Sequence, residues 1–273
     1  MTKNYLIALD LDGTVLYDFD SLSQTLIQYI KKIQNQGHKV VIATGRPFRS
    51  SKFIYDSFEL NTPIINYNGS LIQNPNDSSF KRVDYRIDKS IIVDIFEKNK
   101  KYIRNAFSEL NDDIYLYREE KAIEPLLHAN NATNITVGEF KDNLKGDING
   151  MIIIGKQGTG KKIKSYVDKN YKGKIRARIW QLSGEYDSIL EIYNPDVNKG
   201  TALKIVSENL GFKPEDIIAI GDGHNDIEMF KFAGKSIAMK DAHEKLKAVA
   251  DIVLDYTSRE DAVFRFLSDF LDN

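Results

Sequence analysis

Apolar runs that stop abruptly at small polar clusters recur along this chain. Residues 5–9, Tyr-Leu-Ile-Ala-Leu, end in Asp10-Leu11-Asp12-Gly13-Thr14. Residues 39–43 end in Thr44-Gly45-Arg46-Pro47, and Pro63-Ile64-Ile65 ends in Asn66-Tyr67-Asn68-Gly69. Residues 216–220 end in Gly221-Asp222-Gly223-His224-Asn225-Asp226, residues 236–239 in Lys240-Asp241, and residues 251–254 in Asp255. Short, continuous apolar runs of this kind predict buried strands. Helical segments lie between them. Ser21-x-x-Gln24 predicts a capping box, with Gly37 closing the helix it starts; a second helix from about Gly200 ends near Gly211, with Pro214 beyond.

Strand alternating with helix predicts an α/β fold with a parallel sheet and right-handed crossovers. Near-continuous apolar strands suit a sheet covered on both faces. The polar strand ends then gather along one edge, where open α/β sheets bind ligands. Asp10, Thr44, Asp222 and Asp226 are thereby expected to meet. The pattern changes from about residue 83 to 189, which is rich in charge, Asn and Tyr. Residues 89–99, 123–129 and 161–170 are helical candidates there, and 114–117, 151–154 and 174–180 are strand candidates. The expectation is a core of residues 1–82 and 190–273 with an inserted α+β domain over 83–189.

The length of 273 residues suits one large or two modest domains, and 42% hydrophobic residues suffice for real cores. Lys plus Arg is 38 and Asp plus Glu is 39, so no global basic field exists for nucleic acid. The absence of cysteine excludes disulfides, thiol nucleophiles and Cys-based zinc sites. No apolar run approaches the ~18 residues that span a bilayer, and residue 5 already opens a strand, with no signal-peptide core before it. These features point to a soluble cytoplasmic protein with no membrane partner. No heptad pattern sets an oligomeric state, and a monomer is compatible with the chain.

The first polar cluster carries the strongest chemistry. Asp10 can serve as a nucleophile and Asp12 as a proton donor, while Gly13 lets the chain turn sharply. Asp-x-Asp-Gly-Thr alone is equally a solvated turn. Four separated motifs decide otherwise: Asp10-Leu-Asp12-Gly13-Thr14, Thr44 within Ala43-Thr44-Gly45-Arg46, Lys199 within Asn198-Lys199-Gly200, and Gly221-Asp222-Gly-His-Asn225-Asp226. In this order they resemble the haloacid dehalogenase superfamily, in particular Cof-type phosphatases with a large inserted cap of the C2 type (subfamily IIB).

The resemblance implies a Rossmann-like core, an inserted α+β cap that closes over it and chooses the substrate, and Mg²⁺-dependent phosphate ester hydrolysis. Asp10 attacks and forms an aspartyl-phosphate. Asp12 protonates the leaving alkoxide and then deprotonates water. A phosphate dianion and a carboxylate ~4 Å apart repel by roughly 4 kcal/mol at an effective dielectric of 20, which Lys199 and a divalent cation offset. Mg²⁺ suits an all-oxygen set of Asp10, the Asp12 carbonyl and Asp222, with Asp226 holding a bound water. The Thr44 hydroxyl and amides near Gly13 and Gly45 meet phosphoryl oxygens. Asn225 orders its loop, and Gly13, Thr44, Gly45, Arg46, Lys199 and Asn225 are the substrate-binding candidates. Arg46 has equal claims as a contact to substrate or cap and as a sheet-edge residue.

An Asp at position 12 favours hydrolysis or mutase chemistry over transport. The family points to small phosphorylated metabolites, sugar phosphates first, with pyridoxal phosphate and flavin mononucleotide as other family substrates. A phosphosugar mutase and a non-catalytic phosphometabolite sensor on the same fold are the alternatives. Asp241 departs from the family by standing where an Asn is usual. Arg178, Trp180 and Tyr186 are cap residues that folding alone can explain. Gly155-Lys-Gln-Gly-Thr-Gly160-Lys161-Lys162 resembles a nucleotide-binding P-loop, but Lys162 fills the position of the metal-binding hydroxyl, and a turn between a cap strand and helix is expected instead.

Overall fold

The structure, a computed structural model, describes residues 3–18, 20–129, 131–180 and 188–272. The chain runs β1 (Leu6–Leu9), α1 (Gln24–Asn35), β2 (Lys39–Ile42), α2 (Phe48–Ser57), β3 (Ile64–Asn66), β4 (Leu71–Gln73) and β5 (Val83–Asp84). It continues through α3 (Lys89–Asn99), β6 (Ile103–Leu110), β7 (Asp113–Leu116), α4 (Glu124–Leu127), β8 (Asn134–Val137), α5 (Phe140–Asn143), β9 (Gly150–Gly155), α6 (Gly160–Asn170), β10 (Arg176–Trp180) and β11 (Ile189–Tyr193). It ends with α7 (Lys199–Leu210), β12 (Ile217–Gly221), α8 (Ile227–Phe232), β13 (Lys235–Ala238), α9 (Glu244–Lys247), β14 (Ile252–Val253) and α10 (Ala262–Asp272). Two compact units divide it: Met1–Gly45 with Ser51–Val83 and Asn198–Asn273, and Arg46–Ser50 with Asp84–Val197.

The first unit is built on a parallel sheet in the order β14-β13-β12-β1-β2. Leu6, Ile7, Ala8 and Leu9 of β1 are all fully buried, as are Ile218, Ala219 and Ile220 of the central strand β12 beside them. Apolar residues on both faces are what a sheet covered by helices requires. The run at 63–65 is only partly absorbed into this sheet. A single bridge, Ala43 to Ile65, joins it to the end of β2, while its ladder partner is the antiparallel β4.

Helix α1 buries Leu26, Tyr29, Ile30 and Ile33, a stripe at the spacing of one helical face. Each such side chain contributes about 1.5–3 kcal/mol when fully buried. The Tyr29 hydroxyl donates to the Leu267 carbonyl on α10 (3.1 Å). The cap of α1 differs from expectation: Ser23, not Ser21, accepts from the Leu26 amide (3.4 Å). Ser23 immediately precedes the first helical residue, so only its hydroxyl reaches the orphan amides.

The second unit carries a six-stranded sheet in the order β10-β11-β9-β6-β7-β8, antiparallel except for the β7–β8 pair. Ile92, Ile95 and Phe96 of α3, Phe140 of α5, and Ile163 and Val167 of α6 form a core with Ala106, Ile153 and Leu190 of the sheet. Phe96 and Phe140 meet edge to face at 4.8 Å. Because β11 pairs with both β10 and β9, the return to the first unit falls after Val197 rather than at residue 190. The short segment Arg46–Ser50 groups here through Arg49. Its buried guanidinium donates to the carbonyls of Leu127 (2.9 Å) and His128 (3.1 Å) and pairs with Glu109. Among the described residues, no helix is long and apolar enough to cross a membrane.

Candidate active site

The site is assembled in the first unit where β1 and β12 end side by side. The Asp10 amide continues the parallel ladder by donating to the Ile220 carbonyl (3.0 Å), which fixes the Asp10 carboxylate at the strand end. The chain then turns tightly, with the amides of Thr14, Val15 and Leu16 all donating to the Leu11 carbonyl (3.2, 2.9 and 2.8 Å). Gly13 sits at φ +76°, and a Cβ there would lie 2.5 Å from Asp222 Oδ2. Glycine is therefore required twice over, for its backbone conformation and for the approach of the second carboxylate. Its own amide donates to the Leu16 carbonyl (3.1 Å).

Beyond β12 the loop folds back on itself. Asp226 Oδ2 accepts from the amides of Asp222 (3.1 Å) and Gly223 (2.8 Å), and a Cβ on Gly221 would lie 2.5 Å from that same oxygen. The loop is also held from the segment between β13 and α9, since the His243 amide donates to the Asp222 carbonyl (2.8 Å) and the Met239 amide to the Gly221 carbonyl (3.1 Å). Asp241, between these two anchors, is exposed.

Lys199 is the first residue of α7. Asn198 caps that helix reciprocally with Thr201, which fixes where the helix starts and hence where the lysine projects. The Lys199 ammonium is fully buried and donates to Asp10 Oδ1 (2.5 Å) and Asp226 Oδ1 (2.6 Å). Gly200 permits this seat, because a Cβ there would lie 2.4 Å from the Glu228 carbonyl oxygen on α8. The Thr14 hydroxyl lies 3.4 Å from Asp10 Oδ2 and 3.5 Å from Asp222 Oδ1.

Burial pushes the Asp10 carboxyl up to about 7; Lys199 works against this, while Asp226 and Asp12 add to it. Burial likewise pushes Asp222 up to about 9, reinforced by Asp10 and Asp226. For Lys199 burial acts downward, but Asp10 and Asp226 outweigh it and hold the ammonium above its ordinary range. Oxygens of Asp10, Asp222 and Asp226 lie within 4.8 Å of one another, so the cluster can hold a metal ion. Three carboxylates face one ammonium, leaving negative charge in a poorly solvated place. A divalent cation neutralises that excess, and donors that are all oxygen suit Mg²⁺.

The remaining expected residues are placed as follows. Ala43 donates to the Leu9 carbonyl (2.9 Å), which carries Thr44 to the same sheet edge as Asp10. Thr44 is buried, and its carbonyl accepts from the Asn68 amide (2.9 Å). Gly45 packs beside the Asn68 side chain, 3.3 Å from where a Cβ would stand. Asn225 donates to Asn68 Oδ1 (2.9 Å). Asp12 is exposed in the turn after β1. Arg46 groups with the second unit, buried, with Nη1 donating to the Ser50 carbonyl (3.3 Å). Arg178 pairs with Glu191 across β10 and β11 (2.5 Å). Tyr186 lies outside the described residues.

The structure gives contacts to two residues that the sequence placed at this edge without a role, Thr14 in the first motif and Asn68 in an expected tight turn with Gly69. The Asn-Gly dipeptide at 68–69 carried a signal, since that pair favours left-handed turns. The P-loop-like segment does join a strand, β9, to a helix, α6. Three of its amides are nonetheless committed within the protein: Lys156 to the Tyr102 carbonyl (2.8 Å), Thr159 to the Lys156 carbonyl (3.0 Å) and Gly160 to Ser188 Oγ (3.2 Å).

A buried carboxylate–lysine–carboxylate cluster thus stands at the ends of parallel strands, and comparison with known proteins places the chain in a class of hydrolase. The family model for haloacid dehalogenase-like hydrolases matches residues 7–267. A 5-amino-6-(5-phospho-D-ribitylamino)uracil phosphatase of Bacillus subtilis is 36% identical over 271 residues, covering 98% of each chain. A second B. subtilis phosphatase of the same description is 28% identical, covering 94% of this chain and 92% of that one. A crystal structure of a haloacid dehalogenase-like hydrolase from Bacteroides thetaiotaomicron superposes with a TM-score of 0.84 at 25% identity, covering 98% of this chain and all of the other. The chain belongs to the haloacid dehalogenase-like hydrolase family. Within that family it is a phosphatase.

Proposed function

We propose that this phosphatase hydrolyses small phosphorylated metabolites, sugar and sugar-alcohol phosphates first, through a phosphoryl ester on Asp10. The observation that carries this reading is the Asp10–Lys199–Asp226 chain at 2.5 and 2.6 Å, buried beside the ends of β1 and β12. The Asp10 carboxylate attacks phosphorus as the ester oxygen leaves. Asp12, exposed beside it, gives a proton to that leaving oxygen. It then takes a proton from the water that cleaves the Asp10 ester and releases inorganic phosphate. Lys199 reduces repulsion between the two anions and needs no reorganisation, because Asp226 already holds it in place. The Thr44 hydroxyl and the Gly45 amide are assigned to phosphoryl oxygens.

Asp10, Asp222 and the Asp12 carbonyl would hold Mg²⁺, which would supply positive charge to phosphoryl oxygens. Asp226 accepts from Lys199 and two loop amides, which brace it, and it stays near enough to Asp10 and Asp222 to hold a water of the bound ion. The choice of leaving group is assigned to the inserted second unit.

A more specific reading is favoured by the relative that is 36% identical along nearly the whole chain, whose description names 5-amino-6-(5-phospho-D-ribitylamino)uracil as its substrate. That compound is a primary phosphate ester on a sugar-alcohol chain, inside the class proposed above. Phosphate release is measured over a panel containing it, hexose and pentose phosphates, pyridoxal phosphate and flavin mononucleotide. Each is run with Mg²⁺, with EDTA, and with Asp10→Asn. Turnover that needs both Mg²⁺ and Asp10 is expected. No turnover by folded wild-type protein, or turnover surviving Asp10→Asn, overturns the reading; isomerisation that needs a bisphosphate would identify a mutase instead.

A further inference from the structure

The turn after β3 is strained and touches three of the segments that build the site. Tyr67, Asn68 and Gly69 all have left-handed backbones, with φ of 50°, 54° and 109°. Two non-glycine residues in succession rarely adopt this region, and where they do the surroundings must hold them there. The surroundings here are the site loops. The Asn68 amide donates to the Thr44 carbonyl (2.9 Å), and its side chain lies over Gly45. Asn68 Oδ1 accepts from Asn225 Nδ2 (2.9 Å), and the Asn225 side chain in turn covers Gly223, where a Cβ would lie 2.4 Å from Oδ1. Gly69 rests on the start of α7, where a Cβ would lie 2.8 Å from the Asn198 carbonyl oxygen. Those segments carry Thr44, the Asp222–Asp226 loop and Lys199.

We propose that Asn68 is a positioning residue for the metal and phosphoryl site: its side-chain amide pins Asn225, and through it the loop bearing Asp222, against the Thr44–Gly45 strand end. Asparagine suits the place because its short amide both accepts and donates and because it tolerates a left-handed backbone better than other non-glycine residues. The kinetic side of this inference rests on the phosphatase reading; the metal-binding side does not.

The test is a double-mutant cycle of Asn68→Gly, Asn225→Ala and the double variant, read by calorimetric titration with Mg²⁺ and by phosphate release. Glycine keeps the left-handed backbone while removing the side chain, and a thermal melt beside each titration separates loss of the link from loss of the fold. Groups that orient ligands from behind typically change metal affinity by about 10–100-fold. Each single variant is expected to weaken Mg²⁺ binding about tenfold, and the double variant by about the same factor, because both remove one link. Wild-type affinity in Asn68→Gly, losses that multiply in the double variant, or no Mg²⁺ binding by wild type overturns the proposal. Mg²⁺ affinities that follow the cycle without turnover of any ester leave the positioning role standing and remove the phosphatase reading. Turnover with unaltered Mg²⁺ affinity in Asn68→Gly does the reverse.

Discussion

Gly200→Ala places one methyl group where α7 meets α8, next to the lysine that joins Asp10 and Asp226. The added Cβ would lie 2.4 Å from the Glu228 carbonyl oxygen and 2.5 Å from its carbon. Ordinary contacts begin near 3.4 Å, so the helices must part by about 1 Å, and the obstacle is backbone that cannot rotate away. Overpacking of this size costs about 1–3 kcal/mol, partly offset by the ~1 kcal/mol that alanine gains over glycine inside a helix. Net destabilisation of about 0–2 kcal/mol follows, which leaves the protein folded at room temperature. Activity should suffer more. Lys199 is held at 2.5 and 2.6 Å, and a displacement of about 1 Å at a reacting site can cost ~100-fold in rate. The assay is kcat for phosphate release beside a thermal melt. The control is Gly211→Ala at the other end of α7, where φ is +77° and nothing lies within 4 Å of the new Cβ. That change costs about 1–2 kcal/mol through backbone conformation alone and should leave kcat of the folded enzyme unchanged. Wild-type kcat in Gly200→Ala, or equal kcat losses in both variants, would refute the reasoning.

Asp12→Ala should slow alkyl phosphates far more than p-nitrophenyl phosphate, whose leaving group needs little protonation; an equal loss on both counts against Asp12 as the acid. Asp251 accepts from the hydroxyl and the amide of Ser236 (both 2.8 Å), and those bonds hold its carboxyl below the ordinary range. A depressed carboxyl contributes stability above its unfolded pKa and loses it as pH falls through the folded value. The melting difference between wild type and Asp251→Asn should therefore be constant near neutrality and shrink below about pH 4. A difference that does not change down to about pH 2 would remove this role.

How much was legible depended on how local the determinant is. The parallel strands were readable because Leu6–Leu9 and Ile217–Ile220 are apolar on both faces, a property of the run itself. The meeting of Asp10, Asp222 and Asp226 followed from topology, since parallel strands put their ends at one edge. Lys199 was readable only inside its motif; a single lysine is ordinarily solvated, and its complete burial depends on partners 189 and 27 residues away. Ser21 and Ser23 are equally good caps by composition, and the start of the helix at Gln24 puts Ser23 in the capping position. The end of the inserted unit was misplaced because residues 189–193 read the same whichever sheet they join; pairing with β9 and β10 assigns them to the second.

The segment 155–162 shows why spacing alone underdetermines phosphate recognition. It has the glycines, the lysines, a strand before it and a helix after it. A phosphate cradle, however, is made of backbone amides that point at a common space and have no other acceptor. Here the amides of Lys156, Thr159 and Gly160 are occupied by Tyr102, Lys156 and Ser188. Gly155 and Gly160 are needed for a different reason: a Cβ at either would meet Ser188 Cβ, at 3.2 and 2.8 Å. Their small size serves the packing of β9 and α6 against the residue that opens β11. At Asp10–Thr14 the same residue type admits a carboxylate, since a Cβ on Gly13 would exclude Asp222. In both places glycine marks a close approach, and the chemistry of the approaching group, a serine side chain in one case and a buried carboxylate in the other, decides whether the turn is structural or part of a reactive site.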